Sequence, residues 1–251
     1  MKCLVCPKDE VDAPEEHIVP HSMGNENYVL TRGIICKEHN TLFSQFESKA
    51  LTKTILGMER ARLGIKTKKG KPAKSKTGEI EFTGDAAYRK NYINVKGLKA
   101  EDIKDFDPVT GVGKITVQGF DKTEVPTAKL ILKIGVESLF QSQPRIYKKF
   151  DFEELEKYLT NKSNKDWPFL ITKTTLTDFK SIPRFCDKHN LKKIRCELKY
   201  SELNDNTLLF NFRYVAVSLL INLVNRDKQW TNDYFNKDPS CTLHPISLRN
   251  K

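Results

Sequence analysis

The sequence predicts an α+β protein, with a small metal-braced module at the N-terminus and a larger mixed α/β region after it. Three observations lead there. Two close pairs of metal-type side chains fall within the first 40 residues, a helix-spaced apolar pattern begins directly behind them, and beyond residue 79 short β-rich runs alternate with helical ones.

The metal-type pairs are Cys3-x2-Cys6 and Cys36-x2-His39. An x2 spacing lets one tight turn present two ligands to the same tetrahedral ion, and three cysteines with one histidine form a recognised structural zinc set. A segment this short holds little core alone, so bound zinc would contribute folding energy. Six cysteines in a chain whose start, MKCLVCPKDE, lacks the apolar core of a secretory signal fit a reducing cytoplasm, where thiols bind metal or stay buried.

The helix expected next runs from Lys37 toward Leu63, on the spacing of Leu42, Phe43, Phe46, Ala50, Ile55 and Met58. Thr67 to Gly78 is lysine-rich, holds Gly and Pro, and shows no apolar period, which predicts an exposed connector. Strands are expected at Glu79–Phe82, Lys114–Gln118 and Phe169–Thr172, with helices at Pro126–Phe140 and at Phe152–Leu159, the latter capped by Asp151. Two β-rich runs, Lys193–Tyr200 and Thr207–Val217, flank Asn204-Asp205-Asn206, which is hairpin chemistry. The expected organisation is therefore a module over 1–63, a basic linker over 64–78 and a mixed α/β domain over 79–251.

Composition narrows the function. Hydrophobic residues make up 38% of the 251, and the longest nearly apolar stretch, Val215 to Val224, is half of the roughly 20 residues a membrane helix needs, so no membrane role is expected. Net charge is +11, yet residues 1–50 carry 5 basic and 8 acidic side chains while residues 51–100 carry 13 and 4. The excess is local. Lys66, Lys68, Lys69, Lys71, Lys74 and Lys76 form a run able to track a nucleic-acid backbone, with a solvated linker as the alternative.

Between the ligand pairs lies Glu15-Glu16-His17-Ile18-Val19-Pro20, and Asn40 follows the last ligand directly. The strings CLVC, EEHIVPHSMGN and GIICKEHNTLFSQFE together resemble the HNH endonuclease family, in its zinc-stabilised branch with an E-H-I-[IV]-P strand and a C-x2-[CH]-N helix start. The resemblance covers about residues 1–50. It implies a ββα-metal fold in which His17 is the general base, Glu16 and Asn40 hold a catalytic Mg²⁺ or Mn²⁺, and Cys3, Cys6, Cys36 and His39 hold structural zinc. It also implies double-stranded DNA as substrate and a 5′-phosphate product. Physical chemistry is compatible with these roles. Imidazole, with an ordinary pKa of about 6.5, accepts a proton at neutral pH, and a carboxylate with an amide oxygen suits a hard cation.

Some positions stay open at this point. Successive strand residues face opposite ways, so Glu16 and His17 share a site only if the strand bends, and Glu15 is the rival ligand. Ser44 stands where many HNH proteins place a second metal ligand. Asn25 and Asn27 can each orient His17 or cap the turn, and His21 can touch phosphate or stay inert. Cys186, His189, Cys241 and His244 would form a second zinc set, but no accompanying E-H-I-P strand supports one. Gly111-Val112-Gly113-Lys114 is no phosphate loop, because Ile115 stands where Ser or Thr should follow the lysine.

The sequence points to a metal-dependent HNH endonuclease whose C-terminal region supplies specificity, homodimerisation, partner binding or regulation, as in restriction or anti-phage defence. The contrasting expectation is a non-catalytic, zinc-dependent nucleic-acid-binding module.

Overall fold

The computed structural model of the chain describes every residue except 1, 10–12, 68, 118, 121, 164, 174–175, 183–193 and 249–251. Contacts divide it into two compact units, one of residues 1–48 with 124–251 and one of residues 49–123. The boundaries expected near 63 and 78 both fall inside the second unit.

The chain starts with β1 (Glu16–His17) and β2 (Val29–Leu30), paired antiparallel with Glu16 opposite Leu30 and His17 opposite Val29. Helix α1 (Lys37–Thr52) follows the second ligand pair and buries Phe43, Phe46 and Ala50. The expected single helix to Leu63 is two. Thr54 leaves helical geometry and its hydroxyl accepts the Leu56 N–H at 3.1 Å, which caps a new helix, α2 (Ile55–Arg62).

In the second unit α2 packs on a three-stranded antiparallel sheet of β3 (Lys74–Thr77), β4 (Ile80–Gly84) and β5 (Ile93–Lys96). The lysine stretch is thus partly a strand. Lys74 and Lys76 face solvent while Ser75 and Thr77 point inward, a period of two carried by small polar side chains that an apolar pattern cannot reveal. Gly57 makes the packing close, since a Cβ there would lie 2.4 Å from Ser75 Oγ. An exposed hairpin of β6 (Ile103–Asp107) and β7 (Val112–Ile115) follows.

The first unit resumes with α3 (Glu124–Ser142), buried from Thr127 to Leu139, then α4 (Pro144–Tyr147) and α5 (Glu153–Leu159). Asp151 Oδ1 accepts the Glu153 N–H at 2.9 Å, as its expected capping role requires. The remaining strands are β8 (Phe169–Thr172), β9 (Lys180–Ser181), β10 (Cys196–Asn204), β11 (Thr207–Tyr214), β12 (Val217–Asn222) and β13 (Thr242–His244), and α6 (Thr231–Lys237) precedes the last of these. They form an antiparallel sheet in the order β13-β8-β12-β11-β10-β9. Helix α3 packs on it where Gly135 leaves room, since a Cβ there would meet Leu223 at 2.6 Å and Phe210 at 2.9 Å. The β10–β11 hairpin turns at the expected Asn-Asp-Asn. The second run ends three residues earlier than expected, because Val215 takes φ +56° and reverses the chain without any Gly or Asn signal. Among the described residues no helix is long and apolar enough to cross a membrane.

Candidate metal centre and adjoining acidic site

The two ligand pairs meet. Cys3 and Cys6 lie on the N-terminal turn, Cys36 just precedes α1, and His39 sits in its first turn, with all four ligand atoms within 4.8 Å of one another. Cys36 Sγ is 3.1 Å from His39 Nδ1, Cys3 Sγ is 3.7 Å from the same nitrogen, and Cys6 Sγ is 4.0 Å from Cys36 Sγ. Zinc bond lengths of about 2.3 Å to sulfur and about 2.0 Å to nitrogen give tetrahedral edges of about 3.5–3.8 Å, so the cluster has the size of a zinc site. It can hold a metal such as zinc.

Backbone contacts build this geometry. The Leu4 N–H donates to Ile34 O at 2.8 Å, which ties the two turns together, and the Cys36 N–H donates to Cys3 Sγ at 3.4 Å, which stabilises a thiolate. Burial lowers the His39 pKa, favouring the neutral imidazole that a metal ligand must be. Cys3, Cys36 and His39 are buried.

One residue beyond His39, the side chain of Asn40 reaches strand β1. Its Nδ2 donates to Glu16 Oε2 at 2.6 Å, so the carboxylate and amide expected to cooperate are in direct contact. His17, the next strand residue, is half-buried and its ring lies edge-on to that of His21 at 5.5 Å. Glu15 does not join this group. It is exposed and faces Arg32 at 3.6 Å. Ser44 is also exposed, its hydroxyl donating to Thr41 O at 2.7 Å. Asn25 settles into a turn role, because its fully buried side chain donates to Val19 O at 2.5 Å and to Tyr28 O at 3.0 Å and accepts the Tyr28 N–H at 3.0 Å.

The surroundings of Glu16 contain charges that sequence reading missed. Lys133, from the middle of α3, is fully buried and its ammonium donates to Glu16 Oε1, to His17 O at 2.6 Å and to Ile18 O at 3.4 Å. Glu47 Oε1 at 3.0 Å and Glu137 Oε2 at 3.3 Å face the same nitrogen as ion pairs without a hydrogen bond. Burial works to lower the Lys133 pKa, but the carboxylates of Glu137, Glu16 and Glu47 outweigh it and hold the ammonium charged. Burial pushes the Glu47 carboxyl up and the Glu137 carboxyl well up.

Two signals for these residues stand in the sequence. Glu47 follows Asn40 by seven positions, two helical turns along one face, and Lys133 and Glu137 are opposite charges at i, i+4 inside an otherwise apolar helix.

The lysine run lies in the second unit. Lys69, Lys71, Lys74 and Lys76 are exposed, Lys74 facing Glu81 at 3.7 Å and Lys76 facing Glu79 at 3.8 Å, while Lys66 Nζ sits 4.4 Å from the Tyr88 ring centroid. Lys68 lies outside the described residues, as do Cys186 and His189 of the second zinc set considered above. Cys241 and His244 are buried, and the His244 ring stacks on Phe169 with centroids 5.4 Å apart.

No family model, no curated protein and no solved structure matches this chain.

Proposed function

We propose that the chain is a metal-dependent endonuclease that hydrolyses DNA phosphodiester bonds through a zinc-braced ββα-metal module of the HNH type. The observation that carries this reading is the 2.6 Å contact between Glu16 and Asn40. It joins the first strand to the helix whose start the Cys/His cluster holds, and it brings a carboxylate and an amide together at the strand residue that precedes the half-buried His17.

In this reading His17 takes the proton from the attacking water, and Glu16 and Asn40 hold Mg²⁺ or Mn²⁺. Their donor set is compatible with such an ion, since each carboxylate oxygen has two lone pairs and Oε2 uses one of them on Asn40. When bound, the ion supplies positive charge to the phosphate and the departing oxygen. Cys3, Cys6, Cys36 and His39 take structural zinc, which keeps Asn40 in place. Lys66, Lys68, Lys69, Lys71, Lys74 and Lys76 bind the duplex backbone, and the C-terminal region supplies specificity, homodimerisation or a partner contact, as in restriction or anti-phage defence. The reduced thiols that the cluster needs suit the cytoplasm.

One observation favours a second reading, a non-catalytic zinc-dependent nucleic-acid-binding module. Glu16 is already satisfied within the protein, by Lys133 on one oxygen and Asn40 on the other. Supercoiled plasmid separates the two. The nuclease nicks it when Mg²⁺ or Mn²⁺ is added to zinc-loaded protein and leaves 5′-phosphate ends; the binding module retards it and leaves it intact with every metal.

A further inference from the structure

We propose that Lys133 is a positioning residue for the hydrolytic site, its ammonium fixing the side chain of Glu16 and the backbone of residues 17 and 18 together. The inference rests on the nuclease reading above and extends it to a residue 117 positions away in the chain.

Glu16 and His17 are neighbours on a strand, so their side chains leave it on opposite sides, and something other than strand geometry must set their relation. The strand is two residues long and, among the described residues, pairs only with the equally short β2. Its own ladder is a weak restraint. Lys133 supplies the missing one, because a single nitrogen binds the Glu16 carboxylate and the carbonyls of His17 and Ile18. One side chain thus holds the metal ligand by its head group and the base by its backbone.

The chemistry of the holder fits that task. An ammonium has three donors and no acceptor, and the Glu16 carboxylate and the His17 and Ile18 carbonyls all lie within hydrogen-bond reach of it. Glu47 of α1 and Glu137 of α3 face the same nitrogen, so the charge is steadied from the helix that carries Asn40 and from the helix that carries Lys133. Both belong to the same compact unit as β1. A buried ammonium needs acceptors whatever its role, but here three of them come from the consecutive residues 16, 17 and 18, the segment that carries the proposed metal ligand and base. Positioning needs that arrangement, since a displacement of about 1 Å at a reacting group can cost about 100-fold in rate.

The test uses full-length, zinc-loaded protein and two variants. Lys133→Met removes the ammonium, and Lys133→Met/Glu137→Gln also removes a carboxyl that the first change would leave buried beside no cation. Zinc content and melting temperature verify folding, and the variant that folds is the one compared. The expected result is a fall of about 100-fold in kcat for plasmid cleavage at saturating Mn²⁺ with KM for duplex within about twofold. Amide hydrogen exchange in the 16–30 segment should rise about tenfold or more while exchange around residues 36–43 stays put. Unchanged exchange at 16–30 overturns the proposal, as does a loss of kcat accompanied by an equal loss of zinc, melting temperature and duplex affinity. Failure of both variants to fold assigns Lys133 to stability alone and also overturns it. If the wild type itself does not cleave, the nuclease reading falls, and the exchange measurement still decides whether Lys133 fixes the strand.

Discussion

Replacing Cys36 by alanine removes a ligand that touches the rest of the cluster on two sides, His39 Nδ1 at 3.1 Å and Cys6 Sγ at 4.0 Å. Structural zinc binds with an apparent free energy of about 10–16 kcal/mol, so one ligand of four accounts for about 3 kcal/mol and its loss weakens binding about 100-fold. At free zinc 100 times the wild-type Kd, the ion stabilises the wild type by about 2.7 kcal/mol, but the variant by only about 0.4 kcal/mol. The difference, about 2.3 kcal/mol, corresponds to about 5–9 °C in melting temperature for a chain of this size. Competition with a chromophoric chelator gives the affinity, and far-UV circular dichroism at fixed free zinc gives the melting shift. Cys36→Ala protein that keeps one zinc at wild-type affinity and melts with the wild type would refute a structural ion at this cluster.

Two further perturbations probe neighbouring parts of the site. Asn25→Ala strips three hydrogen bonds from a fully buried position and leaves the Val19 carbonyl and the Tyr28 N–H without that partner, so urea unfolding should show a loss of about 2–4 kcal/mol; a loss below about 0.5 kcal/mol contradicts its turn-bracing role. Burial holds the Glu137 carboxyl well above its ordinary value, the Lys133 ammonium opposing it only in part, so the folded protein takes up a proton there at a higher pH than the unfolded chain does. Stability from that group is present at low pH and falls as pH rises toward the folded value. Measured against Glu137→Gln in excess zinc, the wild type should lose relative stability as pH rises above the ordinary carboxyl value of about 4.3, and parallel or opposite trends count against the buried acid.

How much of this was legible in the sequence depends on how far apart the cooperating residues stand. The Cys/His cluster able to hold a metal and the Asn-Asp-Asn hairpin were legible because each is specified by local spacing and turn chemistry, while the two short strands ahead of α1 were expected only from the family resemblance. The break between α1 and α2 hangs on one capping threonine, and the strand at Lys74–Thr77 hides behind lysines because its inward residues are Ser75 and Thr77. Lys133 was the largest omission. Its partners Glu16 and Glu47 lie on other elements, and nothing in a one-dimensional pattern brings a lysine of α3 to a carboxylate more than 100 positions earlier.

The central claim is that His17 acts as the base at a site held by Glu16 and Asn40. It is tested most directly by plasmid nicking with His17→Ala beside the wild type, at equal zinc content and in Mg²⁺ or Mn²⁺, with duplex affinity measured on the same preparations. The account predicts metal-dependent nicking by the wild type, its loss in the variant, and duplex affinity within about threefold of wild type. Nicking by His17→Ala at the wild-type rate, or intact plasmid with both proteins, would contradict it.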